Sequence, residues 1–233
     1  MILCTIRIRE NYALMNKTVK IPGTIISASI LNSDLSDLRA TARRVDESGS
    51  EWLHFDVMDG NFVENITFGS SVLRAVKPYS KAFSDVHLMV RLPERQIKLF
   101  ADAGADNITF HTESECDPDA LIDEIHSLGL RAGVAIKPAT DVSAVMPYIE
   151  KADMVLIMTV EPGYGGQGFI PETLEKIRAV RKAAPSADIQ VDGGINDKTA
   201  ALVKEAGANV LVAGTYLFRA DDMRKAVDTL RNV

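Results

Sequence analysis

Short apolar runs of β-favouring residues alternate along the chain with longer stretches whose apolar positions recur at helical spacing. The strand-like runs fall at residues 24–29, 52–57, 83–87, 107–110, 131–136, 154–158, 189–191 and 210–212. Amphipathic stretches at 35–48, 93–103, 119–128, 171–183, 197–206 and 222–232 lie between most of them. Runs such as MVLIM and VLVAG are nearly continuous in apolar residues, the mark of strands buried on both faces. Glycines 49, 104, 129 and 207 each stand where a helix should end and a strand begin, the expected chemistry of a left-handed helix terminus.

Eight such units without a linker or composition break predict a single (β/α)8 TIM barrel spanning residues 21–233. A doubly wound open sheet is the alternative, but Ser27 to Asn32 is not the glycine-rich turn that usually follows its first strand. Residues 1–20 read as an N-terminal extension, basic through Arg7, Arg9, Lys17 and Lys20 against Glu10. They suit either a short leader or a chain whose natural start is Met15.

Composition narrows the class. The chain has 233 residues, 46% hydrophobic and 25% charged, enough to bury a large core and unlike a disordered sequence. No apolar run approaches the roughly 18 residues of a membrane span. The net charge of −6 offers no basic footprint, so neither nucleic acid nor membrane is an expected partner. Cys4 and Cys116 read as reduced thiols of a cytoplasmic protein.

In a barrel of this kind, chemistry gathers where strands end and βα loops begin. Ser29, His54, Asp56, His87 and Asp192 stand there. His54 and Asp56, two apart on one strand, share a face. Two imidazoles and two carboxylates make a plausible site for one divalent cation. His111 and His126 read instead as hydrogen-bonded structural residues. Glycines follow the sixth strand (Gly165, Gly166), the seventh (Gly193, Gly194) and the eighth (Gly214, then Thr215). The last two clusters occupy the place of this fold's recurrent phosphate cradle. The loop at 162–169 reads as a lid. Met58, Met89 and Met158, at strand ends, suit either core packing or an apolar cover over a bound intermediate.

The runs HFDVMDG at 54–60, DVHLM at 85–89, MTVEPGYGGQ at 158–167 and VDGG at 191–194 resemble the signatures of the ribulose-phosphate 3-epimerase family. The resemblance extends from about Ile25 to the C-terminus. It implies a metal-dependent isomerase that converts D-ribulose 5-phosphate to D-xylulose 5-phosphate. Asp56 and Asp192 would carry protons through a metal-stabilised enediolate. It further implies that His54, Asp56, His87 and Asp192 ligate zinc, iron, manganese or cobalt. Ser29, with His87, the three methionines, Gly165 and Gly166, would contact the phosphoketose, and Gly193, Gly194, Gly214 and Thr215 would hold its phosphate. Family members form dimers and larger rings, so a homo-oligomer is expected.

Ala28, Thr215 and Tyr216 depart from the usual proline, serine and smaller residue; none touches the metal set. Removing a proton beside a carbonyl and returning one to the opposite face calls for two acid/base groups. The second and seventh strands stand about opposite one another across a barrel mouth, which suits the two aspartates. A D-allulose 6-phosphate 3-epimerase and a non-catalytic phosphosugar-binding barrel are the competing readings. A decarboxylase or aldolase relative is disfavoured, because His54-Phe-Asp56 stands where a catalytic lysine pattern would be needed.

Overall fold

The computed structural model describes residues 23–233. The expected N-terminal extension, Met15 and Cys4 all lie outside the described residues. Eight strands run β1 (Ile25–Ser29), β2 (Trp52–Met58), β3 (Phe83–Met89), β4 (Asn107–His111), β5 (Arg131–Ile136), β6 (Met154–Met158), β7 (Asp188–Asp192) and β8 (Val210–Ala213). Each pairs in parallel with the next, and β8 returns to β1 with Ile25 opposite Val210, closing a (β/α)8 barrel.

The helices are α1 (Leu38–Ser48), α2 (Ser70–Val76), α3 (Glu94–Ala101), α4 (Pro118–Ser127), α5 (Leu174–Ala183), α6 (Asp197–Ala206), α7 (Thr215–Phe218) and α8 (Met223–Asn232). The helix predicted from residue 35 begins as a 3-10 turn at Leu35–Asp37, and that predicted from residue 171 as another at Pro171–Thr173. Between β5 and β6 there are only 3-10 turns, Val142–Ala144 and Met146–Tyr148. Pro147 and the surrounding β-branched residues explain this, since both disfavour a continuous helix. The seven residues of α2 are too few for their periodicity to stand out in the sequence. Gly49 and Gly207 do close α1 and α6 in the left-handed conformation, at φ 79° and 116°.

The period of two along each strand divides the core. Outward positions such as Leu53, Phe55, Leu88, Ile108, Phe110 and Val191 join helix residues including Ile97, Phe100, Ile125, Ile177 and Leu230 in one apolar layer. Inward positions behave differently. Ile25, Trp52, Met154 and Val210, with Phe83, plug the end of the barrel away from the site. Above them the lining turns polar, with Ser27, His54, Asp85, Asn107, Thr109 and Gln190 all buried. The near-continuous apolar strands expected from sequence therefore describe β6 and β8, while β2, β3, β4 and β7 carry polar residues inward.

No helix among the described residues is long and apolar enough to cross a membrane. Gly133 on β5 shows how tightly the interior is filled. It faces Thr109 across the ladder, and a Cβ at this position would lie 2.2 Å from Thr109 Oγ1. Gly133→Ala should lower unfolding free energy by about 1–3 kcal/mol in urea titration, the usual cost of overpacking. Gly168→Ala, whose added methyl would meet open space, should change it by less than about 0.5 kcal/mol.

Candidate metal centre and active site

Strand register carries the four predicted ligands to one spot. Asp56 lies opposite His87 across the β2–β3 ladder, and Asp192 ends β7. One nitrogen or oxygen from each of His54, Asp56, His87 and Asp192 lies within 4.8 Å of all the others. His54 Nε2 stands 3.3 Å from Asp56 Oδ1 and 3.8 Å from Asp192 Oδ2. His87 Nδ1 stands 3.4 Å and 3.6 Å from the same two oxygens. Ser29 at the end of β1 donates its hydroxyl to Asp56 Oδ2 at 2.6 Å.

This set fits a divalent cation. His54 Nε2 is fully buried and makes no hydrogen bond despite its two carboxylate neighbours, so its lone pair points at nothing but the centre of the cluster. An imidazole nitrogen left so would be costly unless it had a ligand's role. Two neutral imidazoles and two carboxylates are a common borderline-metal donor set.

The surroundings fix these side chains. Asp85, fully buried on β3, accepts hydrogen bonds from His54 Nδ1 at 2.8 Å, Asn107 Nδ2 at 2.9 Å, Gln190 Nε2 at 2.5 Å and Ser27 Oγ at 3.2 Å. Five strands thereby meet at one carboxylate. On the other side, His87 Nε2 lies 2.9 Å from His111 Nε2, and His111 Nδ1 lies 3.2 Å from Glu113 Oε2. Thr67 accepts from Met58 N–H at 3.0 Å and donates to the Asp56 carbonyl, tying down the end of β2.

Electrostatics separates the two aspartates. Burial works against an ionised Asp56, but the His54 and His87 imidazoles outweigh it and hold its carboxyl well below the usual range. For Asp192, burial and then the charge of Asp56 push the value up. Burial disfavours the cation of His54, yet Asp56 and Asp85 raise its value well above the ordinary one. The cluster thus draws positive charge to its centre. His111 behaves oppositely, with burial lowering it to about 4.

A cavity of about 340 Å³ opens over this cluster. Ser29, Asp56, Met58, Met89, Met158 and Asp192 line it on one side. The glycine clusters line the other, bringing Gly165, Gly166, Gly193, Gly194, Gly214 and Thr215 to the same space, with Tyr216 beside them. Met58, Met89 and Met158 are each buried, and each borders the cavity. Close approach explains two of the glycines. A Cβ on Gly165 would fall 2.0 Å from Asn32 Nδ2, and one on Gly194 would fall 2.7 Å from the Phe169 backbone nitrogen, at a φ of 67°.

His126, read from sequence as a hydrogen-bonded structural residue, pairs with Asp153 at 2.8 Å, away from the cluster. Asp85, Gln190, Asn107 and Glu113 were not singled out by the sequence reading. Parity was the available signal, since Asp85 lies two before His87 and Gln190 two before Asp192, on the same inward face.

Glu113 also makes the acid response of the fold specific. Burial opposes its ionisation, but His111, Thr140 and the Lys137 N–H outweigh burial and bring it down to about 2. A carboxyl held lower in the folded than the unfolded state adds stability above pH 4.5, and that stability is lost as pH falls toward 2. Glu113→Gln should therefore be less stable than wild type at about pH 6, with the gap narrowing by about pH 3 in urea unfolding.

Comparison with known proteins places the chain in a family. The ribulose-phosphate 3 epimerase family matches residues 25–218. Ribulose-phosphate 3-epimerase of Schizosaccharomyces pombe is 45% identical over 210 residues, covering 89% of this chain and 92% of that protein. The cytoplasmic isoform of Oryza sativa subsp. japonica is 44% identical over 210 residues, covering 88% and 92%. Among solved structures, a 3-hexulose-6-phosphate synthase superposes with a TM-score of 0.62 at 22% identity, over 89% of this chain and 98% of that one. KGPDC from Streptococcus mutans gives 0.66 at 12% identity, over 90% and 96%. These two share the fold alone. The chain belongs to the ribulose-phosphate 3-epimerase family of isomerases.

Proposed function

We propose that this chain interconverts D-ribulose 5-phosphate and D-xylulose 5-phosphate by moving the C3 proton between Asp56 and Asp192. The observation that supports this most is the placement of two carboxylates, from β2 and β7, at the floor of one cavity. Two carboxylates reaching the cavity from different strands offer two separate acid/base groups, as opposite-face proton transfer requires. In one direction Asp56 takes the C3 proton while Asp192 supplies one to the other face; in the reverse direction the roles exchange.

His54, Asp56, His87 and Asp192 would hold one divalent cation, which supplies Lewis-acid stabilisation of the negative charge developing beside the carbonyl. Ser29 steadies Asp56 through its 2.6 Å hydrogen bond and stands where it can also meet the sugar. Met58, Met89 and Met158 keep water from the reacting carbons. The phosphate lies against the backbone of Gly193, Gly194, Gly214 and Thr215, where glycine allows close approach, with the 162–169 loop and its Gly165 and Gly166 closing above it.

Asp56→Asn and Asp192→Asn should each reduce kcat at least about 1,000-fold, on the order of 4 kcal/mol in barrier, while the circular dichroism spectrum is unchanged. The assay couples xylulose 5-phosphate formation to a reporter enzyme, with D-allulose 6-phosphate as the six-carbon control. Near-normal turnover in either variant would refute the two-base scheme, and preference for the six-carbon sugar would refute the substrate assignment.

A further inference from the structure

The two histidines of the cluster present different ring nitrogens to its centre. His54 faces it with Nε2, because its Nδ1 is engaged by Asp85. His87 faces it with Nδ1, because its Nε2 is engaged by His111. Asp85 is a carboxylate and can only accept, so it fixes the His54 tautomer unaided. His111 is an imidazole and could donate or accept. Something else must decide which.

We propose that Glu113, acting through His111, sets the tautomer of His87 and so prepares its Nδ1 lone pair for the cation. This rests on the metal-dependent reading above. A neutral imidazole carries one N–H, and the chain of partners leaves one consistent arrangement. The Glu113 carboxylate accepts from His111 Nδ1–H across 3.2 Å. His111 Nε2 is then a bare acceptor, and His87 Nε2–H donates to it across 2.9 Å. The single proton of His87 is thereby placed on the side away from Asp56 and Asp192.

The relay is held at its far end. Glu113 Oε1 accepts from the Lys137 N–H at 2.7 Å and from the Thr140 hydroxyl, so the start of the β5–β6 connection anchors it. The Phe62 ring packs on His111 with 4.8 Å between centroids, and His87 and His111 are fully buried. Rotation of either imidazole would cost these contacts. His111 and Glu113 touch neither the cavity nor the carboxylates of the cluster, so both are positioning residues.

Zinc binding to the chelator-stripped full chain, in competition with a chromophoric chelator, tests this. Removing an outer partner of a histidine ligand usually weakens a metal by about 10–100-fold. His111→Phe should fall in that range. His111→Gln, whose amide oxygen can accept from His87 Nε2–H, should recover most of the loss. In zinc-loaded wild type, long-range proton–nitrogen NMR should show His111 protonated at Nδ1 alone and His87 at Nε2. Unchanged zinc affinity in His111→Phe, a His111→Gln no better than His111→Phe, or an Nε2-protonated His111 would each overturn the relay. Failure of wild type to bind zinc would overturn the metal reading instead, and the relay with it.

Discussion

A single buried carboxylate organises the interior of this barrel. Asp85 receives hydrogen bonds from β1, β2, β4 and β7 while belonging to β3, so the strand that supplies His87 is locked to those that supply His54 and Asp192. A charge at such depth persists only when well satisfied, and four donors achieve that. His54 benefits most. Its Nδ1–H is claimed, its ring is fixed, and Nε2 is left facing the cluster. The apolar plug of Ile25, Trp52, Met154 and Val210 seals the end beneath, so Asp85 marks the boundary between a packed floor and a reactive mouth.

From that boundary upward the chemistry follows from charge. Three carboxylates, Asp56, Asp85 and Asp192, surround two buried imidazoles beneath the cavity. Such a centre favours a cation strongly. Against burial, the imidazoles hold Asp56 low, while burial and the charge of Asp56 raise Asp192. In the proposed function, ligation and proton transfer would both arise from this one crowded arrangement. Glycines line the opposite side of the cavity, where Gly165 and Gly194 exist because Asn32 and Phe169 leave no room for a side chain.

Much of this was legible in the sequence because it depends on local periodicity. Strand existence and order were readable from apolar runs, and strand ends located Ser29, His54, Asp56, His87 and Asp192 near one rim. The inner polar layer was harder to read. Asp85, Asn107 and Gln190 each look like an isolated polar residue in an apolar run, and their common meaning arises only when the ladder closes and brings five strands to one point. His111 illustrates the same limit. The sequence reading of a hydrogen-bonded interior histidine agrees with its burial, but not even a correct reading of that kind identifies the partner, and here the partner is His87. The β5–β6 connection departs from a strand–helix unit through Pro147, while its first residue, Lys137 just past β5, gives its amide to Glu113.

The most direct test of the account follows hydrogen at C3 of D-ribulose 5-phosphate in heavy water by NMR, using chelator-treated protein before and after reloading with a divalent metal. The account predicts that deuterium enters C3 as D-xylulose 5-phosphate appears, that both cease on chelation, and that both return with metal. Exchange indifferent to chelation would contradict the role assigned to the cation. No exchange by the reloaded protein would contradict the proton transfer between Asp56 and Asp192 on which the whole reading depends.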